Sequence, residues 1–156
     1  RLAGLLRTAT AEGRDLVPLA EERAFVDRYL ELEQMRFAER LVVQREIPAA
    51  LDEVSLPSFA MQTLVENAVR HGAAPREGTT TITIRGRAEG TTFVLEVQDD
   101  GAGADLSRPG EGTGLSRLRD RLAALYGAAA SLTLASRPGA GFTATLRAPL
   151  ARADEA

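Results

Sequence analysis

The sequence predicts a two-layer α/β sandwich: a mixed, largely antiparallel sheet with helices on one face, preceded by part of a helical hairpin. Three observations lead there. Residues 81–87 with 92–98, and 131–135 with 142–147, alternate apolar and polar residues and are joined by short glycine-containing turns, as in hairpins. An amphipathic helical pattern stands before each pair, so the strands have apolar helix faces to pack against. With 156 residues and 44% apolar content, the chain can bury one substantial core.

The elements follow in order. Arg1 to Thr10 reads as a helix, broken at Glu12-Gly13 and Pro18 before a second helix from Leu19 to Phe37. In that second helix Phe25, Tyr29 and Leu32 and, one step round, Val26, Leu30 and Phe37 form a wide apolar stripe that needs a partner surface. Leu41-Val42-Val43 is β-prone, and the loop beyond Pro48 leads to a helix starting near Pro57. There Met61, Leu64, Val65 and Ala68 face the core, Thr63, Asn67 and Arg70 face elsewhere, and Gly72 is expected to end the helix as a C-cap. After the first hairpin comes a glycine-rich stretch, Asp99 to Gly114. A helix with Leu115, Leu118, Leu122 and Leu125 at core spacing follows it, with Gly127 past its end. The second hairpin closes around Arg137-Pro138-Gly139-Ala140-Gly141.

Composition narrows the function classes. The absence of cysteine excludes disulfides and thiolate metal sites, and the single histidine, His71, excludes a multi-histidine zinc site. A formal net charge of −3 gives no broad positive field for nucleic acid or anionic lipid, so any phosphate site must be local. No apolar run reaches the roughly 20 residues a membrane helix requires. Without a start methionine, the chain reads as a soluble piece of a longer protein.

Three features at element ends carry the chemistry. Asn67, Arg70 and His71 close one helix. Asp99-Asp100-Gly101-Ala102-Gly103 follows a strand, where glycines let the backbone approach a flat ligand and the Asp99 carboxylate can accept from an exocyclic amine. Gly110-Glu111-Gly112-Thr113-Gly114 opens a helix, whose exposed N–H groups and dipole favour an anion such as a polyphosphate.

In that order the three features resemble the nucleotide-binding superfamily of gyrase, Hsp90, histidine kinases and MutL. Leu64-Val65-Glu66-Asn67-Ala68-Val69-Arg70-His71-Gly72 is similar to its N box, Asp99-x-Gly101-x-Gly103 to its first glycine box and Gly112-Thr113-Gly114-Leu115 to its second. Within the superfamily the resemblance is to sensor histidine kinases of the LytS type, through Pro57, Gln62, Leu64 to Ala68, Tyr29, Arg36-Phe37, Arg121-Leu122, Tyr126-Gly127 and Gly139-x-Gly141. It covers about Leu16 to Pro149 and implies a Bergerat-type ATP-binding fold.

The resemblance implies a protein histidine kinase catalytic domain that binds ATP with Mg2+. Asn67 would hold the metal, Asp99 would read the adenine amine, and Gly101 and Gly103 would pass close to the base. Gly112, Thr113, Gly114 and Leu115 would shape a lid over the phosphates, with Arg70 and His71 near the phosphates or the metal-bound water. Residues 1–40 would be the C-terminal part of a dimerisation and phosphoacceptor region lacking its acceptor histidine, 41–150 the ATP-binding domain and 151–156 a tail. The implied partners are the protein's own phosphoacceptor domain, a response regulator and a second copy in a full-length homodimer, with no nucleic acid. The implied location is the cytoplasmic side of a membrane-anchored sensor.

Two residues depart from the superfamily pattern. Thr63 stands where hydrolysing members place a glutamate that activates water, and a threonine cannot act as that base near neutral pH. Arg117 replaces the asparagine usual after the lid, and a phosphate contact is the alternative role for its guanidinium. His71 is expected at a helix end and not as the phosphate acceptor. The alternative readings are an anti-sigma-factor-type serine kinase, a non-catalytic nucleotide-binding relative and, distantly, an NADP-binding Rossmann domain built on Gly110-x-Gly112-x-Gly114 with Arg137 at the cofactor phosphate.

Overall fold

The computed structural model describes residues 15–74, 77–103 and 114–152. In chain order these form β1 (Leu16–Pro18), α1 (Leu19–Phe37), β2 (Leu41–Glu46), β3 (Ser55–Pro57), α2 (Ala60–Ala68), β4 (Thr80–Glu89), β5 (Thr92–Asp99), α3 (Gly114–Tyr126), β6 (Ser131–Ser136) and β7 (Phe142–Pro149). The predicted helix at Arg1 to Thr10 lies outside the described residues.

The main sheet has five strands in the order β2-β4-β5-β7-β6. Only β2 and β4 run parallel, in register from Leu41 opposite Thr80 to Glu46 opposite Arg85; β4–β5, β5–β7 and β6–β7 are antiparallel. A doubly wound parallel sheet is therefore absent among the described residues, and with it the frame of the Rossmann alternative. Alternation sends Ile82 and Ile84, Phe93, Leu95 and Val97, and Leu132, Ala144, Leu146 and Ala148 into one core with the buried faces of the three helices. The opposite face is mainly polar, with Val94 buried among its charged neighbours. On it Arg85 bridges Glu46 and Glu96 at 3.0 and 3.1 Å, across three neighbouring strands.

Three local expectations are corrected. On α1 the buried stripe is Leu19, Glu22, Val26, Leu30 and Phe37, whereas Leu32 is exposed and Phe25 only partly buried. At 100° per residue the buried positions share one narrow arc, and Leu32 falls on the far side. Pro57 does not open a helix. It ends β3, a short strand paired with β1, and α2 starts at Ala60 after Phe59 turns the chain with a φ of 71°. The last leucine of α3, Leu125, is 37% exposed because that same angular step carries it to the edge of the stripe formed by Leu115, Leu118 and Leu122.

Candidate functional site

Helix α2 runs along the site. Met61, Leu64, Val65 and Ala68 are buried as the spacing predicts, which leaves Thr63 and Asn67 half-buried and Arg70 exposed on another side. Beyond Ala68 the backbone widens into a π turn, Val69–Ala73, closed by the Ala74 N–H donating to the Val69 carbonyl at 2.9 Å. Gly72 is therefore not a left-handed C-cap. It is buried inside that turn, and its missing side chain serves a different purpose.

That purpose is contact with Asp99. A Cβ at Gly72 would lie 2.7 Å from both Cγ and Oδ1 of Asp99, and one at Gly101 would lie 2.6 Å from the Gly72 Cα and 2.9 Å from Asp99 Oδ1. The two glycines cradle a carboxylate that is only 2% exposed. Asp99 Oδ1 accepts the Gly101 N–H at 2.9 Å, which folds the turn back on its own side chain. Neighbouring bonds hold the turn to β4: Asp100 Oδ1 accepts the Thr81 N–H at 2.7 Å, and the Thr80 hydroxyl donates to the Gly72 carbonyl at 3.4 Å. From the other side the Gly139 N–H reaches the Ala102 carbonyl at 2.5 Å, so the β6–β7 hairpin loop braces the segment that ends at Gly103.

The start of α3 meets the same helix further up. A Cβ at Gly114 would lie 3.1 Å from the Thr63 methyl carbon. Thr63 and Gly72 are thus the two ends of the site, about 13 Å apart along α2 and the π turn that continues it, with Asn67 near the middle. Leu115 turns inward to the core, Arg117 is exposed in the first turn of α3, and Gly112 and Thr113 lie outside the described residues.

His71 is exposed at the π turn. Partial desolvation and, secondarily, the adjacent Arg70 guanidinium lower its pKa below the ordinary 6.5, so the imidazole is neutral at neutral pH. Among the described residues no cluster of three or more acidic or imidazole groups could cage a metal ion. A divalent ion here would depend on the Asn67 amide oxygen and on oxygens of the ligand itself, a donor set that suits Mg2+.

The contacts that fix the start of α2 do not show in the sequence, although Arg121 itself carries part of the resemblance. Glu22 Oε2 accepts the Phe59 N–H and Oε1 accepts the Met61 N–H, each at 3.0 Å, and Arg121 donates to the Ser58 carbonyl. The available signal was a glutamate at helical spacing with Leu19, Val26 and Leu30 on the apolar stripe of α1.

A family model described as "Histidine kinase-, DNA gyrase B-, and HSP90-like ATPase" matches residues 52–152. The chain belongs to this ATPase family. A second model, "Histidine kinase", matches residues 1–41 of the ATPase chain. Sensor histidine kinase BtsS of Escherichia coli K12 is 35% identical over 138 residues, covering 86% of the ATPase chain and 24% of the relative. Sensor protein LytS of Bacillus subtilis 168 is 30% identical over 152 residues, covering 90% and 26%. The ATPase chain thus spans about a quarter of the length of these curated relatives. Its fold matches the catalytic domain of histidine kinase ThkA with a TM-score of 0.67 at 16% identity, covering 88% of this chain and 97% of that one. It also matches the histidine kinase domain of the Erythrobacter litoralis EL346 blue-light activated kinase, at 0.63 and 19%, covering 89% and 64%.

Proposed function

We propose that this ATPase domain binds Mg-ATP and donates the γ-phosphoryl group to a histidine on the dimerisation domain of a two-component sensor kinase. The observation that carries the reading is the convergence on α2 of the Asp99–Gly101 turn at one end and the start of α3 at the other. Asp99 and its two glycines would take the adenine, with the carboxylate accepting from the exocyclic amine and the bare backbone lying close to the ring. The phosphates would extend along α2 towards Gly114. Asn67 would hold Mg2+, which when bound supplies neutralisation of phosphate charge. Phosphoryl transfer asks chiefly for such positioning and charge stabilisation, and little covalent work falls to these side chains. In the transfer the acceptor nitrogen gains a bond to the γ-phosphorus as the bond to the bridging β–γ oxygen breaks and ADP departs.

Residues 1–40, within the segment matched by the histidine kinase model, are read as the C-terminal part of the dimerisation and phosphoacceptor region, and 41–150 as the ATP-binding unit. That match favours a histidine as acceptor over the protein serine of an anti-sigma-factor kinase. A response regulator and a second copy in the intact protein complete the partner set, on the cytoplasmic side of a membrane-anchored sensor. No helix among the described residues is long and apolar enough to cross a membrane. Because the acceptor histidine is expected upstream of Arg1, this chain alone is not expected to label itself.

The test uses radiolabelled ATP and the parent kinase dimer. Labelling of an upstream histidine, lost on Asn67→Ala, supports the proposal. Labelling of a serine, or of the isolated chain at His71, overturns it.

A further inference from the structure

We infer that Glu22 is a positioning residue for the polyphosphate half of the site, acting through the start of α2; the inference rests on the Mg-ATP reading above. Glu22 lies on the buried arc of α1, 6% exposed, alongside Leu19, Val26 and Leu30. A carboxylate in apolar surroundings is tolerated only when its oxygens are paired. Both are, since Oε2 takes the Phe59 N–H and Oε1 the Met61 N–H at 3.0 Å.

These are donors that α2 cannot satisfy within itself, and no local side chain caps it. Its cap therefore comes from a different helix, 37 and 39 residues upstream. The negative charge also lies at the positive end of the helix dipole. The turn held in this way is strained, because Phe59 has a φ of 71°, a region that a bulky side chain rarely adopts. Arg121 grips it from α3, donating to the Ser58 carbonyl and, at 3.1 Å, to the Ser58 hydroxyl oxygen. An acid from α1 and a base from α3 together hold Ser58 to Met61 in a conformation it would not keep alone.

The π turn that follows α2 is fixed separately, by the packing of Gly72 on Asp99. Asn67 lies between the two anchors, about 9 Å along the helix from Met61. Loss of the Glu22 anchor frees the start of α2, which carries Thr63 and from which the helix runs on to Asn67, while the Asp99 turn stays braced by β4 and the β6–β7 loop. The consequence is selective: phosphate and metal binding weaken, and recognition of the base does not.

Affinities for Mg-ATP and for adenosine, measured by calorimetry on the wild type and Glu22→Gln together with melting curves, test this. The expected result is a folded variant whose Mg-ATP dissociation constant rises about tenfold, the size expected for losing charge-assisted bonds, while that for adenosine changes less than about twofold. Glu22→Asp keeps the charge, shortens the reach by one methylene and is read in the same way if Glu22→Gln does not fold. Equal weakening of both ligands, an unchanged ratio, or failure of both variants to fold overturns the inference, because a purely structural carboxylate then suffices. A wild type that does not bind Mg-ATP overturns the functional reading beneath it.

Discussion

Gly101→Ala adds one methyl group at the point where the two halves of the site touch. The added carbon would lie 2.6 Å from the Gly72 Cα, 2.7 Å from the Gly72 carbonyl oxygen and 2.9 Å from Asp99 Oδ1. Two of these neighbours are backbone, so relief requires the π turn and the Asp99 turn to separate by several tenths of an ångström. Overpacking of this kind costs about 1–3 kcal/mol. For a chain of 156 residues that is a fall of roughly 3–9 °C in melting temperature. Separation also displaces the carboxylate, so ATP affinity is expected to drop by about tenfold or more, near 1.4 kcal/mol. Gly90→Ala is the control. Gly90 has a φ of 60° and nothing within 4 Å of a built Cβ, so it incurs only the left-handed penalty of about 1–2 kcal/mol and leaves ATP binding unchanged. Differential scanning calorimetry and ATP titration of both variants decide the matter. An unchanged melting temperature and unchanged ATP affinity in Gly101→Ala would refute the account of the packed cradle.

Other outcomes follow from the same geometry. As the single histidine, His71 gives one imidazole resonance, and its NMR titration should have a midpoint below 6.5; a midpoint at or above that value contradicts the desolvation argument. The sign for stability is fixed by the same shift. The unfolded chain takes up the proton first, so stability falls as pH drops from about 6.5 towards the folded-state value and is insensitive to His71 above about 6.5, a slope that His71→Gln should remove. Asn67→Ala should leave the melting temperature within about 1 kcal/mol equivalent, since the side chain is only half-buried, while abolishing the gain in ATP affinity that Mg2+ gives. With Thr63 in place of a general base, the purified domain should turn ATP over to ADP no faster than background; Asn67-dependent turnover would contradict this.

The periodic parts of the fold were readable and the non-periodic parts were not. Both hairpins and the buried face of α2 follow from alternation and helical spacing, because burial on one side imposes those periods. The three-residue strands β1 and β3 are too short to show any period, and Pro57 carried a helix-start signal that pairing with β1 overrode. The parallel β2–β4 pairing joins segments that no local turn connects. At the site, Asp99 and the glycines were legible as residue types in order. The role of Gly72 was not, since a glycine ending a helix reads as a cap until the Asp99 carboxylate is seen against it. Glu22 lies 37 residues from Phe59, beyond the reach of any spacing rule.

The most direct measurement is an NMR titration of this chain with ATP, with and without Mg2+, following backbone amide and Asn side-chain signals. Saturable shifts are expected at Asp99, Gly101 and Gly72 with either form of ATP, and shifts at Asn67 and Gly114 that strengthen when Mg2+ is present. No saturable binding, or shifts confined to one end of α2, would contradict a single nucleotide spanning both.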